Sequence, residues 1–86
     1  MQHNGVNTIK TRRHKELIAL IRAERRTAGL RQQEVAKRCN GRSQQWIAAV
    51  ESGQRRIDVV EYLMLAEAIG FDPLKLLTKI IKTPAK

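Results

Sequence analysis

The chain has 86 residues, which suffice for one small domain with a single hydrophobic core. Its 17 Lys and Arg residues outnumber 8 Asp and Glu, and the formal net charge of +9 is typical of proteins that bind a polyanion, although net charge alone could equally serve solubility. The single cysteine, Cys39, excludes an internal disulfide, and with only His3 and His14 far away in sequence it argues against a zinc site or any other cofactor.

Residues 1–11 lack hydrophobic periodicity, contain Asn, Gly and Thr, and predict a flexible basic arm. The first 16 residues are polar and basic, without the apolar run of a secretion signal. No apolar stretch reaches the length of a membrane span, so we expect a cytoplasmic protein without a membrane anchor.

Helix 1 is predicted from Arg12 to Ala28, ending at Gly29. Its expected inward face consists of residues at helical spacing: Leu17, Leu20, Ile21 and Ala28. His14 is expected on the outer surface of this helix rather than as a catalytic base.

Two short helices follow, from Arg31 to Cys39 and from about Gln44 to Ser52, with Asn40-Gly41 as the turn between them. Ser43 is a typical N-cap, and Gly53 provides the left-handed stop. The expected inward residues are Val35, Ala36, Ile47 and Val50, and Cys39 is expected to be a small buried hydrophobe.

Asp58, with Glu61 at the capping-box position, begins a fourth helix that ends at Ile69-Gly70. Asp72-Pro73 opens a fifth helix through about Ile81. The sequence therefore predicts an all-α, five-helix domain over residues 12–82, with a tail over 83–86.

Residues 29–73, GLRQQEVAKRCNGRSQQWIAAVESGQRRIDVVEYLMLAEAIGFDP, resemble the phage-repressor and Cro-type (XRE) helix-turn-helix family. The resemblance rests on Leu30-x-Gln32, Ser43-Gln44 and Glu51-x-Gly53 in order. It implies a compact repressor-like domain in which helices 2 and 3 form the helix-turn-helix. The turn at 39–42 is one residue longer than the family's usual form, and Arg31 replaces the usual Ser or Thr cap.

The resemblance implies that the start of helix 3 enters the DNA major groove. Gln44 and Gln45 are then candidate base readers, because a glutamine amide matches adenine N6 and N7. Ala48 and Ala49 stand where the family often has polar residues, and they could meet thymine methyl groups. Alternatively, both glutamines are solvated first-turn residues.

Candidate phosphate contacts surround that helix: Arg31, Gln32, Arg42, Ser43, Trp46, Arg55 and Arg56. One or two of these arginines could instead be solvated surface residues, and Trp46 could pack as core rather than donate its indole N–H. Arg12, Arg13 and Lys15 could extend the contact, with the arm in an adjacent groove.

Charge is unevenly distributed along the chain. Residues 1–56 hold 13 basic and 4 acidic groups, whereas residues 57–74 hold 4 acidic groups and no basic one. We expect a positive front with the acidic segment behind it.

The resemblance also implies a structural ion pair between Arg25 and Glu51, which would fix the pose of helix 3 more than add stability.

Helix 4 is apolar nearly all round, and helix 5 adds five leucines and isoleucines. A small domain rarely buries every side of such a helix, so a homodimer through helices 4 and 5 is expected, with intramolecular packing as the alternative.

These features favour a sequence-specific regulator of transcription, most simply a repressor of a palindromic double-stranded DNA operator. A second hypothesis is an antitoxin-type protein that binds a toxin through helices 4 and 5 and its operator through helix 3. A third is a non-specific nucleic-acid packing protein. An enzyme is disfavoured, because no catalytic constellation or phosphate-binding glycine loop is present.

Overall fold

The helix boundaries follow the capping residues of the sequence. The computed structural model describes residues 8–85. The helices are α1 (Arg12–Thr27), α2 (Gln32–Arg38), α3 (Gln44–Glu51), α4 (Val59–Ile69) and α5 (Pro73–Ile81). Within this described range there is no strand, and the predicted five-helix, all-α class is confirmed.

Side-chain caps begin the last three helices as predicted. Ser43 accepts a hydrogen bond from the backbone N–H of Trp46 at 3.2 Å, and Asp58 accepts one from Glu61 at 2.7 Å. Asp72 accepts from the backbone N–H of Leu74 at 2.9 Å. These caps satisfy N–H groups that no helical carbonyl can reach, and they fix where each helix starts.

The turn between α2 and α3 is built by two left-handed residues in succession. Asn40 has φ 56° and Gly41 has φ 72°. Asparagine and glycine are the residues that adopt this conformation at least cost, so the Asn-Gly pair suits the turn that the sequence predicts here.

The core lies where α1 packs on α3 and α5, and where α2 packs on α3 and α4. Cys39 is completely buried, as predicted, between apolar neighbours of this core. The largest fully buried side chains come from four helices: Ile21, Ile47, Leu65, Val35 and Val50. Burial of such side chains is the main stabilising contribution in a domain of this size.

The inward face of α1 agrees with the predicted one at Ile21, which is buried, and at Leu17 and Leu20, which pack against the core, and it differs elsewhere. Its buried residues are His14, Ile18 and Ile21, and Ala28 is exposed because the helix ends at Thr27. The surface position predicted for His14 is wrong, since only 9% of this residue is exposed. Burial, followed by the charge of Arg56, holds the pKa of His14 below its ordinary value.

Part of the predicted N-terminal arm is regular structure. Thr8–Lys10 form a turn of 3-10 helix, and Thr11 caps α1 by accepting from the backbone N–H of His14. Residues 1–7, including His3, lie outside the described residues, and so does the predicted path of the arm into a neighbouring groove.

The C-terminal end of α5 is joined to the start of α1. Arg13 Nε donates to the Thr83 carbonyl at 3.0 Å, and its Nη2 donates to that of Ile81 at 3.3 Å. Arg13 therefore supplies donors to the last carbonyl of α5 and to a carbonyl just beyond the helix end, where helical partners are lacking. Among residues 8–85, no helix is long and apolar enough to cross a bilayer.

Candidate nucleic-acid interface

The first turn of α3 presents two glutamines to solvent. Gln44 and Gln45 follow the Ser43 cap directly, and both are exposed. Within residues 8–85, neither side-chain amide takes part in a hydrogen bond. Their donors and acceptors are therefore available to a ligand on a backbone that the cap holds rigid.

Gln44 and Gln45 share one shallow depression with Ala48, with a volume of about 310 Å³. The structure thus brings together three of the four residues predicted to read bases. Ala48 and Ala49 are both half-buried, but Ala49 does not line this depression. A surface of two amides and one methyl group combines hydrogen-bond capacity with an apolar contact, as the edge of an A·T pair requires.

Trp46 is part of the core rather than an exposed residue of α3. It is 9% exposed and belongs to the main apolar cluster. Its indole Nε1 is buried without a hydrogen-bond partner among residues 8–85. The predicted donation from this N–H to a phosphate is therefore corrected, because the side chain packs inward, as in the alternative interpretation.

Two of the predicted phosphate contacts lie beside the Trp46 ring. The Cζ atom of Arg42 is 4.5 Å from the ring centroid, and that of Arg55 is 5.7 Å away. Both are within the range of a cation–π interaction. Both guanidinium groups also pair with Glu61 Oε2, Arg42 at 3.3 Å and Arg55 at 3.0 Å. We call Arg42 and Arg55 the arginine pair.

The acidic segment does not lie wholly behind the basic surface, contrary to the expectation from sequence. Asp58 and Glu61 line the same depression as Arg55 and Arg56. The separation of charge along the chain is lost here because the loop after α3 folds back along the start of α4. The basic surface around α3 therefore contains two carboxylates.

The remaining predicted phosphate contacts have partners of different kinds. Arg31, the residue before α2, is exposed and pairs with Glu34 in the first turn of that helix at 3.3 Å. The pKa of Glu34 lies below its ordinary value, chiefly because the backbone N–H of Arg31 donates to it. Arg56 Nε donates to the hydroxyl of Thr8 at 3.2 Å, which joins the 3-10 turn to this surface.

The side chains of Ser43 and Gln32 already form hydrogen bonds within the protein. The Ser43 oxygen accepts from the backbone of α3, but its hydroxyl proton remains able to reach a phosphate. The Gln32 amide donates to Glu51 Oε1 at 3.1 Å, so a phosphate contact would compete with this bond.

Glu51 connects three helices and is only 2% exposed. Its carboxylate accepts from Arg25 Nε at 2.6 Å and from Arg25 Nη2 at 2.9 Å, in addition to Gln32. The ion pair expected between Arg25 and Glu51 is thus present as a bidentate contact. Hydrogen bonding to Glu51 is also the main cause of the raised pKa of Arg25.

Two residues take part in these contacts in ways that were not predicted from the sequence. Arg22 Nη2 donates to the backbone carbonyl of Glu51, which secures the last turn of α3. Its position three residues before Arg25 on one face of α1 was the available signal. Glu61 was recognised only as a cap, and its contact with the arginine pair depends on how α4 packs against α3.

Comparison with known proteins identifies a helix-turn-helix domain. The family model of a helix-turn-helix domain matches residues 16–77. The uncharacterized HTH-type transcriptional regulator y4dJ from Sinorhizobium fredii is 40% identical over 60 residues, which are 70% of this chain and 77% of that protein.

Two solved structures have the same fold. An XRE-family like protein from Pseudomonas syringae pv. tomato has a TM-score of 0.75 and 38% identity, over 80% of this chain and 83% of that one. The restriction-modification controller protein C.AhdI from Aeromonas hydrophila has a TM-score of 0.66 and 30% identity, over 73% and 94%. This chain belongs to the XRE family of helix-turn-helix proteins and is a DNA-binding transcriptional regulator, not an enzyme.

Proposed function

We propose that the chain is a sequence-specific repressor that reads the major groove with α3 and binds a palindromic operator as a homodimer in the cytoplasm. The observation that carries this proposal is the pair of exposed, unbonded amides of Gln44 and Gln45 on a capped helix start. Arg31, Arg42 and Arg55 stand near that helix with exposed side chains, and arginines provide affinity for the phosphate backbone.

The direct test is selection of bound fragments from random duplex DNA, with the mass of the bound species measured in parallel. We expect an enriched site with two inverted half-sites, about one helical turn or 34 Å apart, bound by two chains. Retention of random fragments without enrichment would instead indicate a packing protein.

The proposed dimer surface consists of apolar side chains that α4 and α5 leave exposed. Val59 and Leu74 are each 74% exposed, and Ile81 is 71% exposed. Val59 and Leu77 line one apolar groove of about 180 Å³, together with Leu17, Ile57 and Tyr62. Leu74, Leu77 and Ile81 recur at the spacing of one helix face, so a second copy could cover them together.

We expect the combined Val59→Glu and Leu74→Glu change to give a monomer without unfolding the domain. Both residues are exposed and lie in the first turns of their helices, where a carboxylate is favourable. Sedimentation without DNA measures the mass, and Ala23→Glu on the exposed side of α1 is the matched control. A dimer that persists in the double variant would contradict this surface.

The same apolar surface also suits a different protein partner, as an antitoxin-type role would require. A parent chain that is monomeric in sedimentation, and that binds its operator only when a second protein is added, would favour that role over the homodimeric repressor.

Arg31→Gln should weaken binding to the selected site and to random duplex by the same factor. Arg31 is exposed at the start of α2, so we expect it to contact phosphate and carry no sequence information. Losing one phosphate contact makes the negative slope of log affinity against log salt less steep by about one. Lys75→Gln on α5 removes the same charge and should leave the slope unchanged. A loss confined to the selected site would contradict this role.

A further inference from the structure

Glu61 uses its two carboxylate oxygens for different purposes. Oε1 accepts from the backbone N–H of Asp58 at 2.9 Å and completes the capping box of α4. Oε2 pairs with Arg42 and Arg55, and the residue as a whole is only 8% exposed. A glutamine would serve the capping box equally well, so the cap does not explain why a negative charge stands here.

The negative charge is also unfavourable for DNA binding as such. A carboxylate beside the arginine pair repels phosphates and offsets part of the positive charge that draws the protein to any duplex. A carboxylate at this position therefore lowers the affinity for DNA. That loss is offset only if the carboxylate improves the geometry in which the arginine pair meets DNA.

The arginine pair comes from the loops on either side of α3. Arg42 precedes the Ser43 cap, and Arg55 follows Gly53, so neither side chain is fixed by a helix of its own. The side chains remain 38% and 44% exposed while they contact Glu61. A guanidinium group has five donors, so each arginine can keep its bond to Glu61 and still donate to a phosphate.

We propose that Glu61 is a specificity-determining positioning residue. It holds Arg42 and Arg55 against Trp46 at the two ends of α3, so that both reach phosphates only when α3 is seated at its own site. Its charge also weakens binding to random duplex. This inference rests on the proposed function, since it requires a site that α3 recognises.

The test compares Glu61→Gln with Glu67→Gln, an exposed change on the same helix that removes the same charge. For Glu61→Gln we expect the ratio of affinities for selected and random duplex to fall about tenfold, because two freed arginine side chains must be ordered on binding. For Glu67→Gln the ratio should stay at the parent value. Thermal unfolding should show that both variants are folded, since the capping box is kept.

Fluorescence of Trp46, the only tryptophan, provides a readout that the cap alone would not move. Glu61→Gln should change its emission, because the guanidinium groups leave the ring, whereas Glu67→Gln should not. An emission unchanged in both variants would overturn the proposed positioning.

The combined Arg42→Gln and Arg55→Gln variant gives an independent route to the same answer. It should have a lowered ratio, and adding Glu61→Gln to it should lower the ratio far less than in the parent chain, because only the effect of the charge on random duplex remains. A full additional loss, or a ratio for Glu61→Gln alone that equals that of Glu67→Gln, would overturn the inference while leaving the proposed function intact. A parent chain that shows no sequence preference would contradict both this inference and the proposed function.

Discussion

Glu51→Ala is expected to destabilise the domain by about 3 to 5 kcal/mol, the usual cost of removing one partner from a buried ion pair. The change leaves the Arg25 guanidinium, on a side chain only 11% exposed, without its counter-ion, and removes the acceptor of Gln32. Small domains have total stabilities of about 5 to 15 kcal/mol, so the variant should be marginally folded. Urea denaturation with parent and variant in parallel measures the difference.

Replacing both Arg25 and Glu51 distinguishes the effect of an unpaired buried charge from the effect of losing the contact between α1 and α3. The combined Arg25→Met and Glu51→Met change should recover most of the lost stability, because apolar side chains of similar size can substitute for a buried pair. It should nevertheless bind the selected DNA more weakly, since the bidentate contact no longer fixes α3 against α1. A folded double variant with the parent's DNA affinity would contradict a role in positioning.

Glu34→Ala is the matched control for this effect. It also breaks an Arg–Glu pair, but this pair is exposed at the start of α2, and the change removes in addition the acceptor of the Arg31 backbone N–H. Solvent screens such a contact, so the loss of stability should be far smaller than for Glu51→Ala. Equal losses in the two variants would show that burial is not the cause.

Gln44→Ala is expected to lower affinity for the selected site by about 1 to 3 kcal/mol, the value of one bidentate contact between a side chain and a base. Affinity for random duplex should remain at the parent value, because the change alters no charge. Titration of both duplexes at one salt concentration measures the two effects. The exposed Gln33→Ala change on α2 is the control, and its affinity for both duplexes should stay near that of the parent.

Equal losses on selected and random duplex for Gln44→Ala would mean that this amide does not read a base. The prediction depends on rigidity as well as on chemistry. Since Ser43 caps α3 and Trp46, Ile47 and Val50 bury its other side, the amide is presented by a backbone that cannot adjust freely. We expect Gln45→Ala to relax a different position of the same half-site.

Local signals in the sequence predicted most of the helices. Ser43, Asp58 and Asp72 each offer an oxygen acceptor at a helix start, and that interaction is complete within three residues of the chain. The turn of Thr8–Lys10 was missed because it has no periodicity and is joined to Arg56, 48 residues away.

Contacts between helices were harder to predict from the sequence. The apolar period of α1 suggested that Ala28 is buried, yet the helix ends before it, and His14 in the first turn is buried although it was expected on the surface. Similarly, Glu61 has an obvious local role as a cap, which hides its contact with two arginines that lie 6 and 19 residues earlier in the chain. Both depend on how the helices pack, which periodicity alone does not determine.

The most direct test of base reading by Gln44 uses the selected site with 7-deazaadenine in place of the adenine at the position that Gln44→Ala relaxes. This base lacks the N7 acceptor but keeps the pairing edge. We predict that the parent chain loses affinity on the modified site and that Gln44→Ala binds the modified and unmodified sites equally. An equal loss in both proteins, or none in the parent, would contradict a contact between this amide and the base.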